Sequence, residues 1–438
     1  NQQLFGYIDA CPTAFHTVAH TADMLEDAGY TRLSETESWK LRPGEGYFVT
    51  RNGSSLIAFR VPEEEFPCFM IAAAHGDAPT FKIKENAGIT DKNYVRLSTE
   101  KYGGMLCATW LDRPLGIAGR AVVRTPNGLE TRTVDLGHDQ DGNTVPNAII
   151  PSVAIHMNRA ANDNASYNPA VDMVPLAGTA ADAGDLRERV ALAADADPED
   201  LLTCDLYLYN PQPGVEWDGL IAAPRLDDLQ CAFSCVTAFI RSGEEAERGC
   251  AMPVLCLFDN EEVGSQTRQG AASTFLSDVL VRVAAERGLT REEYLMRLAS
   301  SFMLSCDNGH AIHPNHPEFA DKNHAVTLGG GVVIKYNASQ RYTSDAVTAG
   351  RFPLICDEAD VPVQVYTNRA DMPGGSTLGN ISGTQVSVPT VDIGLAQLAM
   401  HASYETAGAA DTAYMVQALT AFFRRSLTMS GDGCYALL

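Results

Sequence analysis

Three short apolar runs end in residue types that bind cations and move protons. CFMIAAA runs into His75-Gly76-Asp77, PVLCLF into Asp259-Asn260-Glu261-Glu262, and FMLSC into Asp307. A single Asp or Asn after a strand is an ordinary turn former. Adjacent glutamates are costlier, because like charges at close range raise each other's pKa, and a bound cation removes that cost. One glutamate would then bind the cation while its neighbour takes a proton from an attacking water, the division of labour of metal-assisted hydrolysis. Histidine and carboxylates without cysteine suit zinc, cobalt or manganese better than a Cys-rich structural zinc site does. Asp77, two residues beyond His75, is placed to fix the tautomer of that ring.

Other candidates carry less. His16 and His20 have the i, i+4 spacing of a helical zinc pair, but Thr17 stands where that motif needs its general base, so both read as packed or surface residues. His310, His313 and His316 in NGHAIHPNHPE cluster in sequence, and the two prolines among them indicate a loop. Cys231 and Cys235 in LQCAFSCVTAFI read as small buried groups on a helix.

The elements that must position these residues alternate in type. Residues 14–29 have helical spacing, SLIAFRV and CFMIAAA read as strands, and after Leu226 come CAFSCVTAFI (helix), PVLCLF (strand), ASTFLSDVLVRVAAERG (helix), FMLSC and VVIKY (strands), and a long helical stretch, QLAMHASYETAGAADTAYMVQALTAFFRR. This predicts an α/β fold, a mostly parallel sheet flanked by helices, with ligands at the carboxyl ends of its strands. The middle of the chain differs, with alternating stretches such as RAVVR, Gly/Asn/Asp turns and an Ala/Asp-rich helical patch. We therefore divide the chain into a discontinuous unit, 1–86 with 214–438, and an inserted β-rich unit, 87–213.

A length of 438 residues suits two or three packed units, and 45% hydrophobic with 20% charged residues fits a folded globular chain. The net charge of -23 repels phosphate backbones and anionic lipid, so neither nucleic acid nor membrane is an expected partner. No run approaches the ~18 apolar residues of a membrane span. The start, NQQLFGYIDA, has no basic region before an apolar one, and the eleven cysteines are odd in number with no C-x-x-C pair. A cytoplasmic protein with reduced thiols is expected.

An ordered set of motifs resembles the aspartyl aminopeptidase family of dinuclear zinc metallopeptidases over nearly the whole chain: AAAHGDAPTFKIK, TWLDRPLGIAGR, VAIHMNR, APRLDD, FDNEEVGSQTRQGA, SCDNGHAIHPNHPE, GGVVIKYNASQRY, DMPGGSTLG and VDIGLAQLAMHA. The resemblance implies two divalent ions per chain, zinc first, with cobalt or manganese as alternatives. It implies five ligands: Asp227 bridging both ions, His75 and Asp307 on one, Glu262 and His401 on the other. Nothing local marks Asp227 or His401. Glu261 matches the general base, Asp77 the residue orienting His75, and Lys335 and Tyr342 substrate contacts, with Arg341 beside them. The inserted unit corresponds to a dimerisation domain within a tetrahedral dodecamer, and His156 to a histidine that reaches a neighbouring subunit's site. By itself His156 reads as a strand residue. One departure is Gly374 in DMPGG, where many relatives carry Cys, which bears on fine specificity.

The expected reaction is removal of an N-terminal residue, preferably Asp or Glu, from peptides. An aminopeptidase of broad or neutral specificity, a related metal-dependent deacylase, and a non-catalytic assembly scaffold are the alternatives, and the intact Glu261 and ligand set count against the scaffold.

Overall fold

The strands that carry the chemical residues form and lie side by side. The structure, a computed structural model, describes residues 1–244 and 249–438. Met252–Phe258, Phe69–His75, Phe302–Cys306 and Thr390–Gly394 are parallel neighbours in a nine-stranded sheet, with Phe258 opposite His75 and Cys306 opposite Ile393. Their carboxyl ends therefore share one edge. The first three are buried along their whole length, which is why they read as unbroken apolar runs rather than alternating ones.

Alternate side chains of these strands enter two cores. Met70, Ala72 and Ala74 face one with helices Leu226–Glu244, Ala346–Glu358 and Asp411–Phe423. Phe69, Ile71 and Ala73 face the other with Phe275–Glu286. The expected mostly parallel sheet is parallel at its centre and mixed outside it. Ser55–Arg60 runs antiparallel to Met252–Phe258, and Val332–Tyr336 runs antiparallel to Thr390–Gly394. An apolar run carries no mark of direction, so strand polarity was not readable from sequence.

A second, seven-stranded sheet is built from residues 80–209. Leu201–Tyr209 pairs with both Thr80–Asp91 and Pro114–Thr125, so the strand order closes on itself around a separate core that includes Phe81, Trp110, Ile117 and Leu206. Its first strand runs across residue 87, where sequence composition had set a boundary. Phe81 and Ile83 already belong to its core, while the change in composition shows only further along. Helix Leu186–Ala193, capped by the Asp185 side chain, is the Ala/Asp-rich patch.

A five-stranded sheet near the site corrects the helical reading of residues 397–425. Ala396–Leu398 and Glu405–Gly408 are strands, and the helix spans only Asp411–Phe423. Ala399 and His401 take positive φ (58° and 66°), which makes a tight turn where alanine-rich spacing suggested helix. Among the described residues no helix is long and apolar enough to cross a membrane.

The central strands approach too closely for a side chain at Gly394, where a Cβ would collide with the Asp307 carbonyl oxygen. Gly394→Ala should lower stability by roughly 1–3 kcal/mol, read from the denaturant midpoint. Gly375→Ala, where a Cβ meets nothing within 4 Å, should stay within about 0.5 kcal/mol.

Candidate metal centre

His75 closes its strand with a buried ring whose two nitrogens face different ways. Nδ1 lies 3.1 Å from the main-chain oxygen of Asp77, so it carries the proton, and Nε2 turns to Asp227 Oδ1 at 3.6 Å. His401 repeats the arrangement from the tight turn, with Nδ1 2.9 Å from Gly104 O and Nε2 3.3 Å from Asp227 Oδ2 and 3.4 Å from Glu262 Oε2. Each ring is thus held through a carbonyl, with Nε2 turned toward the facing carboxylates and available to a cation.

Asp227 sits at the start of helix Leu226–Glu244, where it and Asp228 depart from helical dihedrals. Its two carboxylate oxygens point to the two different histidines. Donor atoms of His75, Asp227, Asp228 and Asp307 lie within 4.8 Å of one another, as do those of Asp227, Glu262 and His401, and those of His75, Glu261 and Glu262. The structure therefore brings together all five ligands implied by the motifs, together with Glu261. It does not place His16, His20, His310, His313 or His316 in any such group among the described residues. His16 instead pairs with Thr13, and His316 with Glu318.

These residues fit divalent zinc. Ligands at ~2.0–2.1 Å in a tetrahedron are separated by about 3.3–3.4 Å, close to the nitrogen–oxygen gaps at His401. Asp227 Oδ1 and Glu262 Oε1 are buried with no hydrogen-bond partner. Burial and the nearby carboxylates push Glu262 well above the usual carboxylate range. Burial likewise lifts Glu261 to about 8 and Asp307 to about 6. For Asp227, burial pushes upward but the two histidines prevail and hold it ionised. Burial lowers both histidines, yet the facing acids raise His75 well above its ordinary value and His401 to about 10. A cation would relieve this crowding of buried like charges.

Asp77 does more than face His75. Its carboxylate accepts the main-chain N–H groups of Glu261 and Glu262, each at 3.2 Å, and the Tyr102 hydroxyl at 2.7 Å. It thereby holds the short 3-10 turn Glu261–Val263 against the His75 strand. His75 Nδ1 is nearer the Asp77 carbonyl than its carboxylate Oδ1, which is 3.4 Å away.

Several positioning groups were not foreseen. Asp228 accepts the N–H groups of His75 and Asn308, both at 3.3 Å. Glu405 is buried beside Asp227 and His401. The 80–209 sheet and its loops reach the centre through Tyr102, through Gly104, through the Leu106 N–H donated to His401 O at 3.0 Å, and through Thr109, which bonds Ser403. A contact between segments about 300 residues apart leaves no local pattern.

Lys335 is buried, and its ammonium donates to the main-chain oxygens of Asp307 at 2.7 Å and Asn308 at 3.2 Å, with the Asp307 carboxylate Oδ2 3.9 Å away. It lies 5.2 Å from the centre of the Tyr342 ring. Arg341 is exposed and bonds Gly374 O at 2.5 Å. A Cβ at Gly374 would meet the Asn368 amide, so that amide occupies the space a Cys would need. His156 is exposed in a turn rather than a strand, flanked by exposed Ile155 and Met157.

The sequence profile of the aminopeptidase I zinc metalloprotease (M18) family matches residues 7–423. A Clostridium novyi protein described as a probable M18 family aminopeptidase 2 is 38% identical over 434 residues, covering 96% of this chain and 98% of that protein. A Pseudomonas aeruginosa protein of the same description is 38% identical over 439 residues, covering 97% and 98%. Among solved structures, Ape4 in its complex with Nbr1 aligns with a TM-score of 0.91 at 32% identity, covering 97% of this chain and 85% of that one. The S. cerevisiae mApe1 dodecamer aligns at 0.83 and 27%, covering 96% and 95%.

Unfolded carboxyls lose their protons near pH 4, whereas Asp307 and Glu261 in the folded protein alone keep theirs to about 6 and about 8. Unfolding therefore releases protons between these values, and the stability of the chelated protein should fall as pH rises from 5 to 8. The raised histidines act in the same direction. Zinc should abolish that slope and, at a hundredfold excess over Kd, add about 2.7 kcal/mol per site. Thermal midpoints across pH, with chelator and with added zinc, check both effects.

Proposed function

The chain belongs to the M18 aminopeptidase I family of zinc metalloproteases, and from that premise we propose that it removes an N-terminal residue, preferably Asp or Glu, from peptides at a centre of two divalent ions. The observation that carries this reading is the division of the Asp227 carboxylate between His75 and His401. In this reading His75, Asp227 and Asp307 would hold one ion, and Asp227, Glu262 and His401 the other. Zinc, when bound, supplies Lewis acidity toward water and the scissile carbonyl. Cobalt or manganese would suit the same donors.

The chain's own groups handle the protons. Glu261, held beside the centre by Asp77, takes a proton from the attacking water and returns it to the leaving amine. Burial holds a proton on Glu261 in the protein alone, and divalent ions beside it would favour the carboxylate and so free it to act as the base. Asp77 keeps Glu261 and Glu262 in register with His75, so that base and ligand retain separate roles.

Preference for an acidic residue needs a local cation in a chain of net charge -23. Lys335 would offer its ammonium to the substrate carboxylate, with Tyr342 beside it. A second reading follows from the two carbonyls that already occupy Lys335: it braces the Asp307 loop, and specificity is broad. The 80–209 unit would be the dimerisation domain of a dodecamer like that of mApe1, with exposed His156 entering a neighbour's site. Cytoplasmic residence completes the reading, in keeping with eleven free thiols.

A panel of N-terminal aminoacyl chromogenic substrates, with and without chelator, tests the activity. Acidic substrates should turn over fastest, and only with metal. Lys335→Ala should depress Asp and Glu substrates by about 2 kcal/mol, as for a charged hydrogen bond, and spare Ala and Leu. An equal loss on all substrates would favour the bracing role. Elemental analysis separates the two glutamates: Glu261→Gln should keep about two metals per chain while activity falls ~10²- to 10⁴-fold, and Glu262→Gln should lose metal.

A further inference from the structure

Glu405 is a buried carboxylate that binds no histidine ring and reaches no solvent, yet it touches the main chain of two residues at the centre. Its Oε2 accepts the Asp227 N–H at 3.0 Å and its Oε1 accepts the His401 N–H at 2.7 Å. Strand pairing fixes where it stands: Glu405 lies opposite Ala223, just before the chain turns through Arg225 to Asp227. His401 is four residues earlier, in the left-handed conformation (φ 66°) that L-residues seldom adopt. One side chain thus spans two segments that are 174 residues apart at Asp227 and His401 (401 minus 227).

From this geometry we infer that Glu405 is a positioning residue that sets the spacing of Asp227 and His401 and so governs the cation position they share with Glu262. The inference rests on the two-position reading of the centre given above. Of the three protein donors at that position, Glu405 anchors two, Asp227 and His401. Of His75, Asp227 and Asp307 it anchors only Asp227. The two positions should therefore respond unequally to its loss. Glu405→Gln keeps the shape but turns an amide donor toward one of the two N–H groups, leaving that donor unpaired in a buried site. Glu405→Asp keeps the charge on a side chain one methylene shorter.

The test uses the full chain in its native assembly, loaded with Zn²⁺ alone and dialysed against chelator-buffered zinc, with bound zinc read by elemental analysis and folding followed by circular dichroism. Wild type should retain two equivalents. Glu405→Gln should release one equivalent at ~10–100-fold higher free zinc than wild type, the usual effect of losing a group that orients a ligand, while the second equivalent holds. Glu405→Asp should release the same equivalent with a smaller shift, and it decides the matter if the Gln variant does not fold. Two equivalents that shift together in the variants, or not at all, would overturn the role. A wild-type chain holding a single equivalent would instead show that the two-position reading has failed, and the inference with it, and this is seen before any variant is compared.

Discussion

The constraint on which the structure turns is the burial of Asp227 between two histidines. A carboxylate in that setting is expensive unless opposite charge faces both oxygens, and here His75 and His401 each take one. They arrive from opposite ends of the chain. His75 ends a strand at the centre of the main sheet, and His401 occupies a turn between two strands of a smaller sheet. The parallel register of the central strands puts Asp307 and the Glu261–Glu262 pair at the same edge, so one packing decision serves most of the donors.

Around that carboxylate the protein spends much of its hydrogen bonding on main chain rather than on ligand side chains. Asp77, Asp228 and Glu405 are each buried, and each accepts main-chain N–H groups of residues that present donors to the centre or lie next to one. Fixing the backbone fixes where a short Asp or His side chain can reach, and the main-chain hydrogen bonds recover part of the cost of burying each acid. The 80–209 unit takes part through Tyr102 on Asp77 and Gly104 on His401. A unit that sequence set apart as an insertion is therefore also a wall of the centre.

Legibility followed periodicity. The buried strands and the helices at residues 14–27 and 275–286 have patterns that only one element satisfies. The stretch at 397–425 did not: its alanines fit a helix equally well, and the turn through Ala399 and His401 is imposed by pairing with residues 220–223. Lys335 likewise reads as a strand-end cation, and only the fold shows its ammonium tied to the carbonyls of the Asp307 loop.

Sequence alone determined the α/β class, the apolar strands and the acid and histidine residues at their ends, because these depend on local pattern and residue chemistry. Motif resemblance added Asp227 and His401, which no local signal marks. The tertiary structure decided strand direction, the start of the second sheet at Thr80 and the roles of Tyr102, Asp228 and Glu405. The physical reason is range. A strand or helix is selected by neighbours a few residues away, whereas a buried carboxylate finds its N–H partners across gaps such as the 178 residues between Asp227 and Glu405, where only packing brings them within 3 Å.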